Sequence, residues 1–472
     1  MNRIYKIVSL FSGAGGFDWG FHLTGKFTTS LANELRADPA QTLVRNLKLG
    51  FVKAPFSPDL ENQPLMMQGD IADICFANLN GFQPEVLIGG PPCQDFSIVK
   101  GGVRRGIEVK RGKLYAHFIR AIVALQPKVF VFENVPGLVS ANKGWAYKAI
   151  LDDFRNLTIR WQDIRESAQL DNDLGKPNYT CGYEILFSSV VDVAHLGVPQ
   201  SRRRLIIIGL RRDLADKLGV FEFHRLRESI HQRLSGSYSL VSRYPMTCLE
   251  VFEGKPLCDL QTKYREIMLE YKGLWEEVAT TQAAVWRQRV WNRLTFNIIT
   301  DYILFNGIVP KDNNEIDSAM EEHARLLKLL GYFEKPVYQL ELPDGTHKPL
   351  DESEAVKERM RRIPPGENHQ FVRGTPWHVE GRGLSLIYKR PLPIRPAPTV
   401  VAYGGGGTWG YHYERSRTRL TNRERARLQT FTDNFLFVGG VSSVRAQIGE
   451  AVPPLLAFRI AEAVAEILAN LP

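Results

Sequence analysis

Short apolar runs alternate with amphipathic stretches through the first 212 residues of the chain, and that rhythm then stops. Runs near residues 4–10, 27–33, 65–68, 85–89, 128–132, 183–190 and 203–209 have the length and side-chain content of buried strands. Between them, residues 113–125 and 144–155 carry apolar positions at helical spacing. Strands alternating with helices predict an α/β fold, a doubly wound and mostly parallel sheet with helices covering its faces. Residues 453–471 predict a closing helix, with Pro453 and Pro454 at its start and Leu456, Ile460, Val464 and Leu468 recurring every four residues. Three parts follow: 1–212 as the first part of the α/β domain, 213–394 as an insertion without that rhythm, and 395–472 as a segment returning to the domain.

Inside the insertion, about Leu274 to Leu330 reads as helical and interleaves Trp286, Arg287, Arg289, Trp291 and Arg293. Such interleaving could meet a nucleic acid, but a packing helix with an apolar face is the simpler reading. The segment has no internal repeat and no low-complexity tract.

Composition adds a modest bias. Lys and Arg number 60 against 51 Asp and Glu, a net charge of +9, which suits a polyanionic partner without requiring one. The five cysteines (Cys75, Cys93, Cys181, Cys248 and Cys258) are odd in number and include no CxxC pair. They point neither to a disulfide framework nor to a zinc site, so no metal is expected and a reducing cytoplasm fits. No apolar run reaches transmembrane length and the N-terminus lacks a signal-peptide core, so the expectation is a soluble cytoplasmic protein away from membranes.

Chemistry concentrates at strand ends. Gly89-Gly90-Pro91-Pro92-Cys93-Gln94 puts a cysteine, held by two prolines, directly after an apolar strand. A buried structural thiol is the commoner meaning of such a stretch; a presented nucleophile is the other, and it needs partners elsewhere. Phe11-Ser12-Gly13-Ala14-Gly15-Gly16 follows the first strand; its spacing is not GxGxxG, and it reads equally as a plain strand-to-helix turn or as one whose glycines and following helix amides cradle a nucleotide-like ligand. Glu34 and Asp70 stand at further strand ends, where open parallel sheets bind ligands, although each taken singly is more often a surface charge. Glu133 ends the run Val129–Phe132, placed as either a solvent-facing cap or an acid in a cleft, and Gln200-Ser201-Arg202-Arg203-Arg204 leads into the last strand. Strand alternation predicts Arg202 and Arg204 on one face.

In their order (FSGAGGF, NE, GDI, PPCQ, ENV, QSRRR) these segments strongly resemble the motifs of the DNA (cytosine-5)-methyltransferases. The C-terminal part continues the likeness through Pro398-Thr399-Val400 with Tyr403-Gly404-Gly405-Gly406, Arg419 to Phe431, and Gln447 to Pro454. The likeness covers roughly residues 1–212 and 395–472. Two positions depart from it: Glu450 stands where the family has asparagine, and Thr432 where proline is common. The first bears on the cofactor end, since a carboxylate cannot donate a hydrogen bond as an amide does.

The resemblance implies a Rossmann-like fold, S-adenosylmethionine as methyl donor with S-adenosylhomocysteine as product, and double-stranded DNA as substrate. It implies Cys93, Glu133, Arg202 and Arg204 as catalytic. It assigns Phe11, Ser12, Gly13, Ala14, Gly15, Gly16, Glu34, Leu35, Asp70, Ile71, Pro92, Glu450, Ala451 and Val452 to the cofactor. DNA would meet Gln94, Ser97, Arg104, Arg105, Arg373, Thr399, Tyr403 and Gly404, with Asp95 to Lys113 as a basic, glycine-rich loop beside Cys93. The insertion would then read the target sequence, with Arg361 to Asn368 resembling a segment of family recognition domains. A bacterial monomer is expected, with a restriction endonuclease or other defence proteins as possible partners. An RNA cytosine methyltransferase, a non-catalytic relative and a dinucleotide oxidoreductase are the alternatives, the first disfavoured by the size of the insertion.

Overall fold

The computed structural model describes residues 3–54, 63–76, 79, 84–92, 113–158, 160, 164–165, 181–236, 239–380, 386–403 and 410–472. The chain divides into two compact units, one of Met1–Asp192, Arg203–Ser237 and Leu456–Pro472, the other of Val193–Arg202 and Tyr238–Leu455. These units follow contacts, whereas the boundaries at 212 and 395 follow motifs, so the two divisions assign residues 193–202, 213–237 and 395–455 differently.

The first unit is built on eight strands: β1 (Tyr5–Leu10), β2 (Phe27–Glu34), β3 (Gly50–Lys53), β4 (Leu65–Gln68), β5 (Val86–Gly89), β6 (Val129–Asn134), β7 (Tyr183–Asp192) and β8 (Arg203–Arg211). Their order is β3-β4-β2-β1-β5-β6-β8-β7. The strands β1 to β6 pair in parallel, while β8 runs antiparallel to both β6 and β7. The order reverses between β1 and β5, the switch point at which loops leave toward opposite faces and open a crevice at the carboxyl ends of the strands.

Central strands with both faces covered must be apolar throughout, and every residue of Val86–Gly89 and of Val129–Phe132 is buried. Helices α1 (Gly16–Leu23), α2 (Ala37–Leu47) and α3 (Lys113–Leu125) follow β1, β2 and β5 in sequence. On α3, Phe118 meets Phe130 and Phe132 of β6, and Phe154 lies 4.3 Å from Phe130 between ring centroids. The sequence pattern had no strand at Gly50–Lys53. β3 pairs with β4 at the sheet edge and is largely exposed, so it lacks the apolar run that marks the others.

The second unit is a set of helices, most of them short but one running Asn313–Leu329, joined by turns. Its core gathers Trp286, Met360, Ile363, Phe371, Tyr388 and Tyr411. Trp286 lies buried and donates its indole N–H to the Pro365 carbonyl at 3.2 Å. Packing therefore claims Trp286, whose helix ends at Arg289 and leaves Trp291 and Arg293 to a separate turn. Among the described residues no helix is long and apolar enough to cross a membrane.

Candidate active site

At the end of β1 the chain turns sharply, with φ at +55° for Phe11, +55° for Gly13 and +87° for Gly15. A side chain at Gly15 would stand 2.1 Å from Leu43 of α2, so only glycine fits there. The turn is tied down from β2. Ser12 donates its backbone N–H and its hydroxyl to the Asn33 carbonyl, each at 3.0 Å, and the Gly13 N–H reaches the Glu34 carboxylate at 2.9 Å. The other Glu34 oxygen accepts from the Arg36 N–H at 2.9 Å. The Arg36 guanidinium also stands 3.6 Å from that oxygen, and a carboxylate so placed keeps lone pairs for a hydroxylated ligand.

Asn33 is the joint that motif reading passed over. Its side-chain amide donates to the Met67 and Gly69 carbonyls at 2.9 and 3.1 Å, tying the end of β2 to the turn that carries Asp70. Asp70 is exposed and accepts from the Ala72 N–H at 2.9 Å, Ile71 is buried, and Leu35 is exposed beside Glu34. The ends of β1, β2 and β4 thus carry a tight turn, two carboxylates and an exposed apolar side chain, donors and acceptors that fit a nucleoside.

Beneath this turn lies Asp18, fully buried, accepting from the Ser9 and Thr29 hydroxyls at 2.8 Å each. Burial pushes its carboxyl up to about 6 from 3.8, outweighing the two hydroxyl donors. The fold therefore favours protonated Asp18. Its contribution to stability is complete below about 3.8 and is lost as pH rises through about 6. Asp18→Asn should flatten stability across this window by on the order of 3 kcal/mol relative to wild type. Urea unfolding of both proteins at several pH values checks this, and parallel pH profiles would refute it.

A second cluster forms where β5 and β6 end. The Arg204 guanidinium meets the Glu133 carboxylate at 2.9 Å, with both side chains mostly shielded from water. A Cβ at Gly90 would fall 2.7 Å from Glu133 Oε2, so glycine makes room for the acid. Asn134 donates to the Pro91 carbonyl at 3.1 Å and accepts from the Val135 N–H at 2.9 Å, anchoring the prolines that lead to Cys93. Pro92 is exposed. Cys93, Gln94, Ser97, Arg104, Arg105 and Gly404, with the loop from Asp95 to Gly112, lie outside the described residues. Gly90→Ala should displace Glu133 and lower turnover by on the order of 10²-fold with little change in melting temperature. Turnover within twofold of wild type would show that Glu133 has slack.

Arg202 and Arg204 do not share a face. β8 begins at Arg203, so Arg202 stands outside the strand alternation. It is buried and donates to the carbonyls of Val400 at 3.1 Å, Gly449 at 3.0 Å and Ala451 at 3.1 Å. Gln200 beside it donates to the Leu428 carbonyl at 2.9 Å and accepts from the Val400 N–H at 3.0 Å, while the Thr399 hydroxyl reaches the Ser201 carbonyl at 2.7 Å. Residues 200–202 thereby gather the segments around Thr399 and Glu450–Val452 within the second unit. Tyr403 is exposed and donates its hydroxyl to Glu450 at 3.3 Å, and Ala451 and Val452 are half-buried. Arg373 is exposed in the same unit.

A mostly parallel α/β sheet with these strand-end clusters is a Rossmann-like ligand-binding scaffold, and residues 5–466 match the C-5 cytosine-specific DNA methylases. The chain belongs to that family and is a DNA (cytosine-5-)-methyltransferase. It is 57% identical over 468 residues to the DNA (cytosine-5-)-methyltransferase M.ApeKI of Aeropyrum pernix, covering 98% of this chain and 99% of that protein. It is 30% identical to the type II methyltransferase M.NgoFVII of Neisseria gonorrhoeae, covering 98% of this chain and 87% of the relative. In fold it is similar to a prophage-encoded E. coli protein described as a DNA modification methyltransferase, with TM-score 0.53 at 19% identity over 98% of this chain and 99% of that one.

Proposed function

We propose that the enzyme methylates C5 of a cytosine flipped out of a specific duplex DNA sequence, using S-adenosylmethionine and a covalent bond between Cys93 and cytosine C6. The observation that supports this most is the Glu133–Arg204 pair at 2.9 Å beside Gly90, on strands whose ends also hold the Pro91-Pro92 turn. An acid and a forked donor are complementary to one edge of a cytosine ring.

Cytosine C5 is a poor nucleophile. In this reading the Cys93 thiolate adds to C6, the ring electrons move toward N3, and C5 becomes enamine-like. Glu133 holds N3 and the exocyclic amine and keeps N3 protonated as it takes up electrons, while Arg204 holds O2. S-adenosylmethionine, when bound, supplies the electrophilic methyl group. The turn Phe11–Gly16, Glu34 toward ribose and Asp70 toward the adenine amine would hold it. Loss of the C5 proton to a base then lets the C6–S bond break by β-elimination and returns the thiolate. Arg202 acts in this scheme as a positioning residue through the carbonyls it binds. Because C5 and C6 are stacked within a duplex, the base must leave the helix before Cys93 can reach it.

Residues 213–394 would choose the target sequence, Arg373, Thr399 and Tyr403 would lie on the DNA side, and a restriction endonuclease or defence protein would be a further partner. Methyl transfer from labelled S-adenosylmethionine should appear on duplex DNA and not on tRNA, and duplexes carrying 5-fluorocytosine should trap a covalent complex. Transfer to tRNA alone, or turnover without any trapped adduct, would overturn the reading.

A further inference from the structure

Within the second unit, the segment Pro364–His369 is held at nearly every backbone group. Trp286 donates to the Pro365 carbonyl, the Gly366 N–H donates to the Arg390 carbonyl at 3.1 Å, and the Arg390 N–H donates to the Glu367 carbonyl at 2.9 Å. The His369 N–H reaches the Ile387 carbonyl at 3.0 Å, and the Lys389 ammonium donates to the Gly366 carbonyl. Residue 367 is therefore fixed in place.

Its side chain has no hydrogen-bond or ion-pair partner among the described residues, although Glu367 is half-buried. Lys389 and Arg289 lie within electrostatic reach, and Arg395 in turn lies near Lys389. Lys389 donates to the Gly366 carbonyl, while Arg289 and Arg395 are exposed. Burial raises the Glu367 carboxyl above the usual carboxylate range despite the opposing pull of Lys389 and Arg289. A rigidly held, half-buried acceptor with no donor bonded to it among the described residues is placed to accept one from outside the chain.

We propose that Glu367 is a specificity-determining residue that accepts a hydrogen bond from the exocyclic amine of a cytosine or adenine in the recognition sequence, with Arg289 and Arg395 on neighbouring phosphates. A carboxylate accepts from cytosine N4 or adenine N6 in the major groove, whereas guanine O6 and thymine O4 present acceptors that it repels. The two arginines offset the repulsion between the acid and the DNA backbone without reading sequence themselves. This inference rests on the reading of the insertion as the part that chooses the target.

The test is base-resolution mapping of 5-methylcytosine in DNA from cells expressing wild type and Glu367→Ala, with labelled transfer to duplexes substituted at each position of the mapped sequence. Glu367→Ala should keep its melting temperature and relax one position, with roughly tenfold loss of discrimination there. A relaxed G·C pair identifies the cytosine amine as ligand, and a relaxed A·T pair the adenine amine. An unchanged sequence preference overturns the proposal. Should the alanine variant fold poorly, Glu367→Gln keeps the shape while altering the donor pattern, and it must shift preference at one position or the proposal fails. Arg289→Gln should weaken transfer to all duplexes alike, and a changed motif there would transfer the reading role to Arg289. Wild type that methylates DNA beside a Glu367 variant with the same motif refutes Glu367 alone. Wild type that methylates no duplex refutes the proposed function as well.

Discussion

Cys93→Ser is expected to abolish methyl transfer, by at least roughly 10³-fold, the scale on which loss of an attacking group is felt. Sulfur is accessible as a thiolate near neutral pH and is a good leaving group, which both halves of the proposed cycle require. A serine hydroxyl stays protonated in that range, and an oxygen adduct at C6 would be slow to form. Binding should survive, because the sulfur makes the adduct and takes no part in recognition. Labelled methyl transfer and gel-shift titration on one duplex measure the two effects separately. Appreciable methylation by the serine variant would remove Cys93 from the mechanism, and the Glu133–Arg204 pair would need another explanation.

The largest expected effect on folding belongs to Arg390. Its guanidinium is fully buried and donates to the carbonyls of Met360 at 2.7 Å, Glu414 at 2.6 Å, Arg417 at 3.2 Å and also His412. One side chain thus joins the turn at 412–417 to Met360, and its own backbone pairs with Gly366 and Glu367. Burial draws its pKa down, outweighing the opposing pull of Tyr271 and the Glu270 carboxylate. Arg390→Met fills similar space and leaves those carbonyls short of donors, which should cost about 3–5 kcal/mol. In a unit of this size that lowers the melting temperature by roughly 10 °C. Thermal unfolding checks it, and a variant melting with wild type would show that water replaces the guanidinium freely.

Most of the first unit was legible in the sequence. Buried parallel strands are apolar along their whole length, so Val86–Gly89 and Val129–Phe132 announce themselves, and the carboxylates of Glu34, Glu133 and Asp70 mark where strands stop. β3 escaped because an exposed edge strand of four residues needs no apolar pattern. Asn33 and Asn134 were visible only as neighbours of acids. Their work is to bind carbonyls of adjacent strand-end loops, and nothing in a local pattern distinguishes an amide that does so from one in water. The arginines between residues 361 and 395 cannot be sorted by role from the sequence at all. Structure separates the clamp Arg390 from Arg361 and Arg362, which pair with Glu358, and from exposed Arg373 and Arg395.

The sequence by itself determined the fold class, the family and the chemistry on offer, because strand periodicity and the order of strand-end motifs are local and linear. Only the tertiary structure decided what adjacent, chemically identical residues do. Arg202 and Arg204 are two positions apart, yet one clamps carbonyls 198, 247 and 249 residues away while the other meets Glu133. A guanidinium goes where its acceptors are, and these acceptors come from parts of the chain that only folding brings beside it.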